Sequence, residues 1–77
     1  MSYGYSARLI TLNKEADTRM LGVRLGRVCM KNDIPVSLVA AKLGVSRQTV
    51  YNWFIADTYV HKDLVDAVKE YIAVLQG

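Results

Sequence analysis

The stretch VSLVAAKLGVSRQTVYNW, residues 36–53, decides the fold of this 77-residue chain. Its first part has apolar residues at the spacing i, i+3, i+4 and i+7, which predicts a helix over about 35–43 with one apolar face: Val36, Val39, Ala40 and Leu43. Gly44 follows, where a helix commonly ends in a left-handed residue. Ser46 is a good N-cap for a second helix over about 46–55, with Val50 and Trp53 on its core face and Phe54 next to it. The pattern predicts two short helices joined by a tight turn.

Small and apolar residues follow one another here at the spacing that a helix-turn-helix requires. Ala40 stands where two crossing helices would clash with a larger side chain, Gly44 follows four residues later and Val50 six after that. On these residues, VAAKLGVSRQTVYNW resembles the helix-turn-helix of the Cro/repressor (XRE) class of bacterial and phage DNA-binding proteins. The resemblance covers about residues 34–57 and extends weakly to a helix on either side. The family often has Gln at the position of Val36, where it touches a phosphate, so this chain departs from the family there.

The resemblance implies an all-α, lambda repressor-like domain of four to five helices that binds double-stranded DNA as a homodimer, with its second motif helix in the major groove. The outward side chains of that helix suit base edges: Arg pairs with guanine, Gln or Asn with adenine, and the Thr methyl with thymine. The candidate base-contacting residues are Arg47, Gln48, Thr49, Tyr51 and Asn52. The candidate phosphate-contacting residues are Ser37, Lys42, Ser46, Arg24, Arg27 and Lys31.

A further helix is predicted before the motif, starting at Asn13 or Asp17 and ending near Lys31. Its core stripe is Leu21, Leu25, Val28 and Cys29. Gly22 and Gly26 weaken a helix, and their spacing of four predicts that another backbone approaches closely on that side. Its basic stripe (Arg24, Arg27 and Lys31) is either a solvated face or a contact to DNA phosphates.

The two ends of the chain are predicted to differ. Residues 1–12 form an N-terminal arm or short extended segment, which either tethers Leu9, Ile10 or Leu12 to the core, contacts DNA through Arg8, Tyr3 and Tyr5, or pairs with its symmetry mate as a strand. Residues 13–77 form the DNA-binding domain, with the motif at about 35–55. A last helix over about 62–75 has an apolar stripe wide enough for a dimer contact as well as the core: Leu64, Val65, Val68, Tyr71, Ile72 and Leu75.

The composition and charge distribution are typical of a small protein that binds a polyanion. The chain has 52% hydrophobic residues and a formal net charge of +3. Residues 1–60 contain eight Lys and Arg against four Asp and Glu, whereas residues 61–77 contain two against three. The basic excess therefore lies in the part of the chain that contains the motif.

Residues typical of catalytic or metal sites are few, and no enzyme activity, cofactor or metal is expected. Cys29 is the one cysteine, so it is expected to be buried in a reducing compartment, with a redox-sensing thiol as the alternative. His61 has no second His nearby and is expected to cap a helix or face solvent. No membrane segment or small-molecule ligand is expected, and the expected location is the cytoplasm of a bacterial cell or phage-infected host.

The sequence thus predicts a Cro-like transcription regulator, a repressor that acts by occupying operator DNA. Two alternatives stay open. GVSRQTVYNW also resembles the DNA-binding motif of transposases and recombinases, which would make the protein a recombination accessory factor. The domain could also be a protein-interaction module that reuses the fold.

Overall fold

Five α-helices and one short 3₁₀ helix make up the computed structural model of this protein, which describes residues 6–77. The α-helices are α1 (Ala7–Glu15), α2 (Leu21–Lys31), α3 (Val36–Leu43), α4 (Arg47–Phe54) and α5 (Val65–Gln76), and the 3₁₀ helix is Lys62–Leu64. Helix α2 is central and packs against α1, α4 and α5, while α3 packs against α4. The prediction of an all-helical domain of four to five helices is confirmed for the described residues.

Helix α1 corrects the prediction of an extended segment over residues 7–12. Ser6 caps the helix, since its Oγ accepts a hydrogen bond of 3.1 Å from the backbone N–H of Leu9. Leu9 and Asn13 then lie one turn apart and are both buried. The alternating pattern of this segment favours neither helix nor strand. A helix places Leu9 and Asn13 on one face, where both are buried. Tyr3 and Tyr5 lie outside the described residues.

The helix predicted from Asn13 or Asp17 to Lys31 is two helices. Asn13 lies inside α1, and Asp17 lies in the turn between α1 and α2. There the Asp17 carboxylate accepts hydrogen bonds from the backbone and guanidinium of Arg19, which hold the pKa of this carboxyl below its usual value. An Asp that bonds the backbone two residues on favours a turn over a helix.

The close approach predicted at the α2 glycines is confirmed. A Cβ built on Gly22 would lie 2.6 Å from the Cβ of Trp53 and 2.8 Å from its carbonyl oxygen. One built on Gly26 would lie 2.7 Å from Asn13 Nδ2 and 2.8 Å from Phe54 Cγ. The lack of a side chain at Gly22 and Gly26 therefore lets α4 pack directly on the backbone of α2.

Helices α3 and α4 lie within about a residue of their predicted bounds. Gly44 ends α3 in the left-handed conformation, with φ of 70°, and Ser46 caps α4 by accepting a 3.1 Å hydrogen bond from the Thr49 N–H. Ala40 is buried, as are the two predicted core residues of α4, Val50 and Trp53, and the neighbouring Phe54. The turn and its cap thus follow from local sequence.

Helix α5 closes the core through Val68 and Ile72, which are buried, and through Tyr71 and Leu75, which pack against the core at partial exposure, as does Leu64 of the 3₁₀ helix. His61 precedes it and acts as the predicted cap, because its Nδ1 accepts a hydrogen bond from the Asp63 N–H. No helix among residues 6–77 is both long and apolar enough to cross a membrane.

Candidate nucleic-acid interface

Helix α4 is anchored on one side and open on the other. Val50, Trp53 and Phe54 point into the core with at most 2% exposure. Arg47 and Gln48 are exposed, while Thr49, Tyr51 and Asn52 are partly exposed. The five candidate base-contacting residues therefore all reach the surface on a helix whose position is set by its buried residues.

Hydrogen bonds already engage four polar side chains at this surface. Ser46 Oγ caps α4 and lies 2.9 Å from Thr49 Oγ1, so both hydroxyls serve the helix start. One turn further along, Gln48 Nε2 donates a hydrogen bond of 2.9 Å to Asn52 Oδ1. The Gln48–Asn52 bond was not foreseen from sequence, although their spacing of four residues places them on one helix face.

Arg8 is a cation beside α4, and the sequence predicts a DNA contact for it only as part of an N-terminal arm. It lines a shallow depression between α1 and α4 together with Tyr51 and Ile55. Tyr51 also packs against the core, so its ring is held in place rather than free. Placing Arg8 here required the knowledge that α1 is a helix.

The segment that contains α3 and α4 has no carboxylate. Residues 34–56 include Lys42 and Arg47 but no Asp or Glu, and the nearest acids in the chain are Asp33 and Asp57. Without a carboxylate to compete, the exposed cation Arg47 is available to a phosphate or a guanine edge. This distribution of charge fits a polyanionic partner for α4.

The basic stripe of α2 lies away from α4. Gly22 faces Trp53 of α4, and at 3.6 residues per turn the stripe (Arg24, Arg27 and Lys31) lies about 140–180° around α2 from Gly22. Arg24 instead borders α5 near Lys69, and Lys31 borders the C-terminal end of α5 near Gln76. The structure does not bring these three residues together with the candidate base-contacting residues.

Arg27 has a structural partner of its own. Its Nη2 donates a hydrogen bond of 2.6 Å to the carbonyl oxygen of Lys14 at the end of α1. A cation that bonds the last carbonyls of a helix stabilises that helix end. Its phosphate contact stays a prediction, in competition with this role.

The remaining phosphate candidates occupy α3. Ser37 is exposed in its first turn, and Lys42 is exposed in its last. Lys42 borders a groove of about 540 Å³ between α3 and α5, opposite Glu70 of α5. Apart from these two charges the groove is largely apolar, with Leu43, Tyr71 and Val74 in its lining, and Val74 is 74% exposed.

Cys29 is buried with no exposed surface, as predicted. Burial raises the pKa of its thiol to about 12, so the thiol stays protonated at neutral pH. A protonated, enclosed thiol does not suit redox sensing. No group of three or more His, Cys, Asp or Glu side chains in the described part of the chain could hold a metal ion.

No family model, no curated protein and no solved structure matches this chain.

Proposed function

We propose that the protein is a sequence-specific, double-stranded DNA-binding regulator of the Cro/repressor kind, with α4 as its recognition helix. The observation that carries the proposal is the two-sided construction of α4. Three buried residues fix the helix, while Arg47 and Gln48 are exposed at its N-terminal end. In helix-turn-helix proteins the N-terminal part of the recognition helix enters the major groove.

The residue types at this surface support DNA over other polyanions. Arg47 can bond bidentately to guanine O6 and N7, and Gln48 to adenine N6 and N7. Ser37 on α3 and Arg8 on α1 are polar residues on the helices next to α4, and phosphate contacts there would fix the register without reading sequence. Residues 34–56 contain no Asp or Glu, so α3 and α4 themselves add no carboxylate that would repel phosphates.

In this proposal the protein binds a pseudo-palindromic operator as a homodimer, with half-sites about one helical turn apart. The groove between α3 and α5 supports this assembly. It is largely apolar and carries one cation, Lys42, and one anion, Glu70. Two copies related by a two-fold axis could pair Lys42 of each with Glu70 of the other, in place of the phosphate contact predicted for Lys42, because such an interface uses the same patch twice. Repression would follow from occupancy of the operator.

Fluorescence anisotropy tests the proposal, with the wild-type protein on duplexes from the DNA that flanks its own gene and on scrambled duplexes of equal length. The expected result is tight binding to a flanking duplex alone, weakening steeply between about 50 and 200 mM salt as phosphate contacts release counterions. Equal weak binding to all duplexes would favour the recombination accessory role. Absence of binding at low salt would contradict the proposal and favour a protein-interaction module.

A further inference from the structure

The hydrogen bond between Gln48 and Asn52 bears on how α4 would select a base, an inference that rests on the proposed function. Gln48 Nε2 donates to Asn52 Oδ1 at 2.9 Å. Gln48 is exposed, whereas Asn52 is partly buried, and its backbone carbonyl accepts hydrogen bonds from the N–H groups of Asp57 and Thr58. Asn52 is thus tied to the loop that follows α4. Within the pair, Asn52 is the less exposed residue, and its Oδ1 orients the more exposed Gln48 amide.

The bond changes what the Gln48 amide can offer to a base. A primary amide has two N–H hydrogens and one oxygen acceptor. The bond to Asn52 uses one hydrogen, which leaves one N–H and Oε1 for a second partner. The Gln48 side chain therefore presents one donor and one acceptor outward.

The major-groove edges of the purines differ in this respect. Adenine offers one acceptor, N7, and one donor, the N6 amino group, whereas guanine offers two acceptors, N7 and O6. A free Gln can turn its two hydrogens toward the two guanine acceptors. Gln48 held by Asn52 lacks the second hydrogen, so it matches adenine and leaves a guanine acceptor unpaired.

We infer that Asn52 is a positioning residue for Gln48, and that the pair selects adenine over guanine at one position of the bound site. Asn52 then acts through Gln48 rather than on a base of its own. This differs from the sequence-based prediction, in which both residues contact bases separately.

Three variants separate the base contact of Gln48 from the positioning role of Asn52. Gln48→Ala removes the amide that contacts the base. Asn52→Leu removes the acceptor of the Gln48 hydrogen bond at similar side-chain volume, and Asn52→Asp keeps such an acceptor. Wild-type protein first selects duplexes from a random library. Each protein is then titrated by anisotropy against the selected duplex and against the same duplex with every single base-pair change. Melting temperatures of the free variants confirm that each is folded.

The expected result is a single position where wild type prefers adenine to guanine by on the order of tenfold. Gln48→Ala and Asn52→Leu both lose that preference at that same position. Asn52→Asp keeps the preference while binding every duplex more weakly, because its carboxylate repels the phosphates. Rescue by Asn52→Asp would not follow if the Asn52 side chain merely supported the helix.

Two results would overturn the inference while leaving the proposed function in place. One is that Gln48→Ala and Asn52→Leu relax preferences at different base pairs, which would mean that the two amides read separate bases. The other is that Asn52→Leu leaves the adenine preference intact. Failure of the wild type to enrich any duplex would overturn the proposed function itself, and the inference with it.

Discussion

The inner side of α4, which packs against α2, and its outer side, which faces solvent, differ in how well they tolerate substitution. On the inner side, the backbone of Trp53 lies so close to Gly22 of α2 that one added carbon would stand 2.6 Å from Trp53 Cβ. On the outer side, Arg47 and Gln48 are exposed, and Gln48 forms a hydrogen bond across one turn of its own helix. The difference separates two kinds of measurement. Substitutions on the inner side should change the free energy of unfolding, and substitutions on the outer side should change binding.

The largest loss of stability is expected from Gly22→Ala. The new methyl group would meet the Cβ and carbonyl oxygen of Trp53, and backbone atoms can yield only if α2 and α4 move apart. Overpacking of this kind should lower the free energy of unfolding by about 3 kcal/mol. Chemical denaturation measures the effect, with Arg24→Ala as an exposed control on the same helix. A Gly22→Ala protein as stable as wild type would mean that the two helices do not touch as described.

Asn13→Ala should have the next largest effect. Asn13 Nδ2 donates to the carbonyl oxygens of Val23 and Phe54, at 3.2 and 2.6 Å, and so connects α1 to α2 and to the end of α4. Loss of two buried hydrogen bonds and the side-chain volume should cost about 2 kcal/mol. Denaturation of Asn13→Ala beside Thr11→Ala, an exposed control in α1, tests this. Equal stability of the two variants would contradict the claim that the Asn13 hydrogen bonds hold α1 against α2 and α4.

How far the sequence predicted these two regions depends on the range of the interactions involved. Gly44 and Ser46 act within a few residues, so the bounds of α3 and α4 could be read locally. The spacing of Gly22 and Gly26 predicted a close neighbour, but only the structure identifies it as α4. The buried role of Asn13 was missed because its partners lie 10 and 41 residues away. Helix α1 was also missed because its buried contacts are distant in sequence; the Ser6 cap is the local feature that indicates its start.

At the site, residue types were predictable and their arrangement was not. The polar residues of α4 could be assigned to its outer side because the core residues occupy the opposite one. For the basic stripe of α2 the sequence leaves two interpretations, a solvated face or a contact to DNA phosphates by analogy with helix-turn-helix proteins. The position of the stripe on the far side of α2 follows from the face that Gly22 turns toward α4. Only the fold could settle that orientation.

The residues that follow α3 and α4, Gly44 and Ala56, allow two substitutions with smaller and opposite expected effects on stability. Gly44 and Ala56 both have positive φ, of 70° and 65°, which a residue with a Cβ adopts at a cost. Gly44→Ala should lose about 1 kcal/mol of stability, and Ala56→Gly should gain somewhat less than about 1 kcal/mol. Thermal melts of both variants measure the shifts. If Ala56→Gly were destabilising, the end of α4 would not have the left-handed conformation described.

The smallest change in stability is expected on the outer side of α4, where Arg47→Ala with Gln48→Ala should leave the free energy of unfolding within about 0.5 kcal/mol of wild type. A matched control is Lys69→Ala with Gln76→Ala, which also removes one cation and one amide from an exposed helix surface, on α5. The pair of double variants thus differs in location and not in charge. Denaturation curves establish that both proteins are folded before binding is compared.

The most direct test of α4 as the DNA-reading helix is the affinity of these two double variants for the duplex that wild type binds best, measured by anisotropy at one salt concentration. Loss of Arg47 and Gln48 is expected to weaken binding to that duplex roughly a hundredfold, since two base contacts are lost, whereas the α5 control is expected to weaken it only slightly. Equal weakening by both variants would mean that charge alone attracts DNA. Unchanged affinity in the Arg47 and Gln48 variant would contradict the claim that the outer side of α4 reads DNA.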